Sequence, residues 1–293
     1  MIDLHLHSNY SDGFDTPNQL IDKGIKLNLR AIALTDHDTI EGNKEFISYG
    51  EDKNIIVLPG VEISIRHDFK REIKDVHVIG LNIDCESINL KNVLNKQMEG
   101  RLKQKEEICN RLRDEFDYNI SYEEVRAIAG NKTVGRPHIV DIMMKNNPDK
   151  IKGKTKNDLF KMISIDGVAY VDREFELTLE EAIEVIKGAG GISILAHPGV
   201  YEVSNRAKFV EFCANSGIKG IEIEYIYAKN RPFDNNANTE KSQWAQNYFP
   251  RFYKNLAEKF KLIKSGGSDY HGDKKNINIG EACVPDGYLK YFI

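Results

Sequence analysis

The chain has 293 residues, with 41 Lys and Arg against 45 Asp and Glu, 41% apolar residues and 29% charged residues. A formal net charge of −4 excludes a whole-surface polyanion binder while leaving local basic patches open. The composition excludes global disorder, and the length suits one α/β barrel or one core with an insertion.

No apolar run reaches the roughly 18–20 residues needed to cross a bilayer. The opening segment MIDLHLHSNYSDG has neither the basic nor the apolar region of a secretory signal. Cys85, Cys109, Cys213 and Cys283 lie far apart with no C-x-x-C, a pattern that points to reduced thiols in a cytoplasmic protein.

Short β-branched and apolar runs predict strands at 2–6, 31–34, 55–58, 76–83, 191–195, 218–223 and 260–263. After the first, Thr16 and Pro17 read as the N-cap and first residue of an amphipathic helix reaching about Leu29. From 98 to 168 the strands give way to helical stretches at about 98–116, 122–129, 137–146 and 156–164, the second opened by a Ser121/Glu124 capping box. Thr178 and Glu181 form another such box. The stretch 231–243 predicts a long loop before a helix near 244–259. Strands alternating with helices predict an α/β fold with a largely parallel sheet. Residues 1–97 and 169–293 would form the core, and 98–168 a helical insertion.

The chemistry lies with the histidines. His5 and His7 are two apart at the end of the first strand, so both rings can reach one ion. Asp12 follows in a short SDG loop that could bring a carboxylate to the same place. His37 lies in TDHD after the second strand, Glu62 in GVEIS, His77 in VHVIG and His197 in AHPG after strand ISIL. Asp269 and His271 form S-D-Y-H behind a Gly-Gly pair. His, Asp and Glu thus recur within or at the carboxyl ends of strands, the edge where barrels and open α/β sheets build sites. Imidazole and carboxylate without thiolate suit Mn, Fe, Zn or a similar divalent ion.

Three features stand apart. His67, in RHDFKRE, reads as solvent-exposed. The lysines between 145 and 161 read as a solvated face, with contact to a phosphate backbone as the alternative. Tyr248, Phe249, Phe252 and Tyr253, beside Arg251, read as amphipathic core, or else as lining of a substrate mouth.

HLHSNYSDG, TDHDTIEG, GVEIS, HVIGLNID, GRPH, AHPG and GGSDYHG together resemble the PHP family, named for polymerase and histidinol phosphatase domains, from His5 to His271. Within it the chain is most similar to stand-alone phosphoesterases whose helical insert carries GRPH. These include nucleoside 3′,5′-bisphosphate phosphatases and 5′→3′ RNA exonucleases. The resemblance implies a distorted (β/α)7 barrel with two or three divalent ions, Mn, Fe or Zn. It implies that His5, His7, Glu62 and Asp269 hold one ion, and that Asp12, His37, His197 and His271 hold another. Glu62 and His77 would hold a third, with Glu62 bridging. Asp269 and His197 are the candidate catalytic residues, with His197 or a metal-bound water as the leaving-group acid. Arg136 and His138 of GRPH would contact substrate.

The expected reaction is hydrolysis of a phosphate monoester by metal-activated hydroxide, without a covalent enzyme intermediate. The substrate would be a small phosphorylated molecule, foremost a nucleotide of the nucleoside 3′,5′-bisphosphate type. One alternative is a 5′→3′ exonuclease on short RNA. Another, of a different class, is a non-catalytic PHP module for structure or partner binding, and the complete ligand set argues against it. Neither a membrane nor an obligatory protein partner is expected.

Overall fold

The computed structural model describes residues 1–130, 134–230, 232–233, 239–272 and 276–293. Seven strands lie side by side in chain order: β1 (Ile2–Leu6), β2 (Ala31–Leu34), β3 (Ile56–Ser64), β4 (His77–Leu81), β5 (Ile192–Leu195), β6 (Gly220–Glu224) and β7 (Ile263–Gly266). Past β7, the Asp269 N–H donates to His5 O at 2.9 Å and the His7 N–H donates to Tyr270 O at 3.0 Å. The last strand thereby returns to the first, and the sheet is a nearly closed barrel. Gly267 permits that return, because a Cβ there would lie 2.4 Å from His5 atoms.

Four neighbouring pairs are parallel, whereas β3–β4 and β4–β5 are antiparallel. The link from β3 to β4 holds only a one-turn helix at Phe69–Arg71, with no crossover helix, so β4 must run back along β3. The strand expected at 55–58 continues to Ser64 through Pro59 and Gly60. There the Asn43 side chain brackets Gly60, donating to its carbonyl at 2.8 Å and accepting from its N–H at 3.1 Å. The strand expected at 260–263 instead starts at Ile263, because the preceding helix runs to Phe260 and ends on Lys261 in a left-handed conformation.

The chain divides into two compact units, Met1–Leu94 with Leu177–Ile293, and Asn95–Glu176. The barrel unit carries α1 (Pro17–Lys26), α2 (Glu41–Gly50), α7 (Leu179–Gly188), α8 (Arg206–Asn215) and α9 (Glu240–Phe260). The expected Thr16 N-cap and Thr178 capping box open α1 and α7, and at Thr16 the Gln19 side chain completes a box as well. The strands β1 and β2 are buried throughout, and Leu6, Ile32 and Leu34 pack with Leu20, Ile21 and Phe46 from the helices.

The second unit is helical, with no strand among its described residues. It holds most of α3 (Ile88–Asp114), then α4 (Tyr122–Ala129), α5 (Arg136–Asn146) and α6 (Lys156–Met162). Its core includes Ile108, Leu112, Val125, Ile139, Met143 and Leu159. This unit starts three residues before and ends eight residues after the expected 98–168. The loop expected over 231–243 lies largely outside the described residues. Among the described residues no helix is long and apolar enough to cross a membrane.

Candidate metal centre

His5 and His7 stand at the carboxyl end of β1, as their two-residue spacing predicts. Their Nε2 atoms lie 3.0 Å apart. Each is 3.2 Å from Glu62 Oε2, brought in by β3. They lie 3.5 and 3.2 Å from Asp269 Oδ1, which follows β7. A tetrahedral ion with bonds of about 2.0–2.1 Å needs ligand atoms about 3.3–3.4 Å apart. The five distances run from 3.0 to 3.5 Å, four of them slightly short of that value. Glu62 Oε2 is buried and accepts no hydrogen bond, an orphaned acceptor among two imidazole nitrogens and a second carboxylate oxygen. The donor set therefore fits a divalent cation.

A second group joins His7, Asp12, His37 and His271. Asp12 Oδ1 lies 3.3 Å from His271 Nε2, and 4.0 Å from both His7 Nδ1 and His37 Nε2. Two serines fold the loop that carries Asp12. Ser8 donates to Asp36 through its N–H at 2.8 Å and its hydroxyl at 2.6 Å, and Ser11 donates through its hydroxyl at 2.5 Å. Gly13 lets this loop turn back, since a Cβ there would sit 2.3 Å from His7 O.

A third group joins His37, Glu62 and His77. His37 Nδ1 is 3.1 Å from Glu62 Oε2, and His77 Nδ1 is 2.9 Å from Glu62 Oε1. His197 corrects the expected ligand sets. Its Nε2 lies 2.8 Å from Glu62 Oε1 and its ring 5.2 Å from that of His77, so it stands with the third group and not with Asp12, His37 and His271. The cause is local: the turn after β5 puts His197 at φ 26°, and Glu222 Oε2 accepts its N–H at 2.6 Å. His7 takes the vacated place.

The electrostatics follow from burial against opposite charge. Burial alone would raise the Glu62 carboxyl, yet His37, His5 and His77 hold it well below the usual carboxylate range. Burial likewise opposes Asp12, and His271 and His37 outweigh it and pull its pKa well down. Burial disfavours a charged His7, while Asp269 and Glu62 hold its pKa at about 9.

Several residues of the centre were not picked out from the sequence. Glu222 Oε1 lies 3.1 Å from His5 Nδ1, and the Tyr225 hydroxyl donates to Asp269 Oδ2 at 2.9 Å. Asp36 ties down the Asp12 loop, and Asp38 accepts from the Ser64 N–H at 2.8 Å and its hydroxyl at 3.0 Å. A carboxylate inside an apolar strand, Glu222 in GIEIE, is the signal that could have found the first.

The other unit holds Arg136 and His138 on the first turn of α5. The Gly135 N–H donates to His138 Nδ1 at 3.0 Å, so one ring nitrogen caps its own helix. The buried Lys105 amine donates to Gln104 Oε1 at 2.7 Å, and burial with the charges of Arg173, Arg101 and Arg136 pushes its pKa well below the usual lysine range. Of the lysines between 145 and 161, Lys150 donates to the carbonyls of Phe116 and Asp117, Lys154 donates to the Tyr118 hydroxyl, and Lys156 pairs with Asp141. Those three are committed within the insert. His67, expected in solvent, is half-buried and accepts the Asp75 N–H through Nδ1 at 3.3 Å.

A barrel that gathers three overlapping His/carboxylate groups at one edge of its sheet is a divalent-metal hydrolase in design. The chain belongs to the PHP domain family, whose profile matches residues 3–268, and it is a hydrolytic enzyme of the phosphoesterase class. It is 31% identical to the 5′-3′ exoribonuclease Rnm of Salmonella typhimurium over 285 residues, 95% of this chain and 87% of that one. It is also 31% identical to a 3′,5′-nucleoside bisphosphate phosphatase of Chromobacterium violaceum, over 76% of both chains. A crystal structure from Bifidobacterium adolescentis superposes on 99% of this chain and 94% of its own with a TM-score of 0.77 at 24% identity, which establishes the fold.

Proposed function

We propose that this chain hydrolyses a phosphate ester of a nucleotide that carries a second phosphate, foremost a nucleoside 3′,5′-bisphosphate. The observation that carries this reading is the convergence of His5, His7, Glu62 and Asp269 on one point, with Glu62 shared by the His37/His77 group. Imidazole and carboxylate donors suit Mn, Fe or Zn. Bound there, such ions supply Lewis acidity toward phosphoryl oxygens and lower the pKa of water.

The chain's own residues do the rest. Asp269 and His197 serve the reaction by holding the ions, each in one geometry. The Tyr225 hydroxyl fixes Asp269, and the left-handed turn with the Glu222 hydrogen bond fixes His197. Asp12, His37 and His271 hold the second ion with His7. Arg136 and His138 contact the substrate, Arg136 through the forked donors that suit a phosphate. The reading places the enzyme in the cytoplasm, where nucleotides are met, with no membrane and no obligatory protein partner.

One observation favours a second reading, a 5′→3′ exonuclease on short RNA: the near full-length relatives include proteins named for that activity. The chemistry is common to both, since each substrate sets a scissile ester beside another phosphate. The test is phosphate and nucleotide release by the Mn2+-loaded protein from adenosine 3′,5′-bisphosphate, an aryl phosphate and 5′-phosphorylated RNA. The proposal expects the first or third to exceed the aryl phosphate in kcat/KM. Equal turnover of all three would overturn the second-phosphate requirement.

A further inference from the structure

The helix α9 divides its aromatic residues between two faces. Phe249 and Tyr253 are buried, whereas Trp244 is 53% and Tyr248 41% exposed and Phe252 is half-buried. Trp244, Tyr248 and Phe252 are four residues apart, so they fall on one face of the helix. Their rings stack on one another, Trp244 on Tyr248 at 4.9 Å and 12°, and Tyr248 on Phe252 at 5.3 Å and 21°. An apolar helix face that only completed a core would not leave its largest rings in water.

The position of this ladder is set by topology. Because α9 follows β6, its N-terminal turns lie at the carboxyl ends of the strands, the edge that holds the metal centre. Ring contacts of 5.0–5.5 Å connect Trp244 through Phe249, Tyr227 and Tyr225 to His197. The ladder then descends for about 12 Å, eight residues of helix, which matches about three stacked nucleotides. Lys241, Arg251 and Lys259 are exposed along the same side, and of the two α9 carboxylates Glu258 is paired with Lys264 at 2.6 Å.

We propose that Trp244, Tyr248 and Phe252 form a stacking track for the downstream nucleotides of a single-stranded RNA whose 5′ end occupies the metal centre. The track rests on the exonuclease reading and extends it to the substrate's path. Every base has a π-face, so stacked aromatics bind single strands without reading sequence, and the flanking cations meet the phosphates. A second copy of the chain is the competing occupant. Charge disfavours it, since a two-fold contact through this face would set Lys241, Arg251 and Lys259 against themselves.

Trp244 is the chain's single tryptophan, so its emission reports on the track alone. The probe is a series of 5′-phosphorylated oligoadenylates of one to six nucleotides with phosphorothioate linkages, titrated into the metal-loaded enzyme. The track predicts quenching that strengthens from one nucleotide to about four and then levels. Tyr248→Ala should weaken binding of the hexamer by about 5- to 100-fold, the effect of losing one base-stacking contact. Quenching that does not depend on oligonucleotide length would overturn the track. So would emission that changes with protein concentration and not with oligonucleotide, which would assign the face to a second copy. Length-dependent quenching without release of nucleotides from unmodified RNA would uphold the track and sink the exonuclease reading, so the two fail separately.

Discussion

Glu222 Oε1 lies 3.1 Å from His5 Nδ1, and both side chains are fully buried. This carboxylate beside Nδ1 favours a proton there, which would leave the Nε2 lone pair to an ion held with His7, Glu62 and Asp269. Its other oxygen accepts the His197 N–H at 2.6 Å, so one residue of β6 orients ligands of two groups. Glu222→Gln keeps the volume and loses the charge. Metal affinity, measured by competition with a chelator, should fall by about 10- to 100-fold with the circular dichroism spectrum retained. Unchanged affinity would reduce Glu222 to a packing residue.

Asp269→Asn should cost at least about 100-fold in kcat, in line with the several kcal/mol a metal contributes to charge stabilisation. The carboxylate contacts both His5 and His7 nitrogens, and the variant replaces one of its oxygens with an amide that cannot ligate. A near-native rate would mean that Asp269 holds no ion.

Arg136→Ala separates recognition from chemistry. If Arg136 holds a second phosphate, its loss removes a charge-assisted hydrogen-bond pair worth about 2–4 kcal/mol in transition-state binding. The cost should appear in kcat/KM for a bisphosphate or an oligonucleotide and be nearly absent for an aryl phosphate. Equal losses on both would assign Arg136 to folding or to the reaction itself.

Lys105 gives the insert a pH signature. Burial and the cations Arg173, Arg101 and Arg136 hold its folded pKa well below the 10.5 of an ordinary lysine, with Glu176 opposing them. Between that lowered value and 10.5 the unfolded chain binds more protons than the folded one, so stability rises as pH rises through this window. Lys105→Met should flatten that rise in thermal unfolding of the full chain and increase stability at pH 7. A rise undiminished in the variant would place its origin elsewhere.

Much of the fold and of the candidate site was legible because the candidate ligands follow rules of spacing and place. His5 and His7 share a strand face, and the other candidate ligands lie in a strand or in the loop that follows one. The Thr16-Pro17 N-cap and the capping boxes at Ser121 and Thr178 stand at observed helix starts. What pattern could not give was set by contacts distant in sequence. The side on which His197 stands depends on Glu222, and the length of β3 depends on Asn43. The burial of Phe249 beside the exposure of Tyr248 depends on which face of α9 meets Tyr227. The start of β7 was misplaced because Phe260 is apolar enough to read as strand, whereas the left-handed Lys261 ends the helix after it.

The three His/carboxylate groups are the basis of divalent-metal phosphoesterase chemistry in this chain. The direct test is metal content and phosphate release from adenosine 3′,5′-bisphosphate, measured on protein purified without chelator, after stripping, and after readdition of Mn2+. At least two equivalents of metal, loss of activity on stripping and its return with Mn2+ are the expected results. Full activity in the stripped protein, or less than one equivalent with no activity recovered on adding metal, would contradict the account.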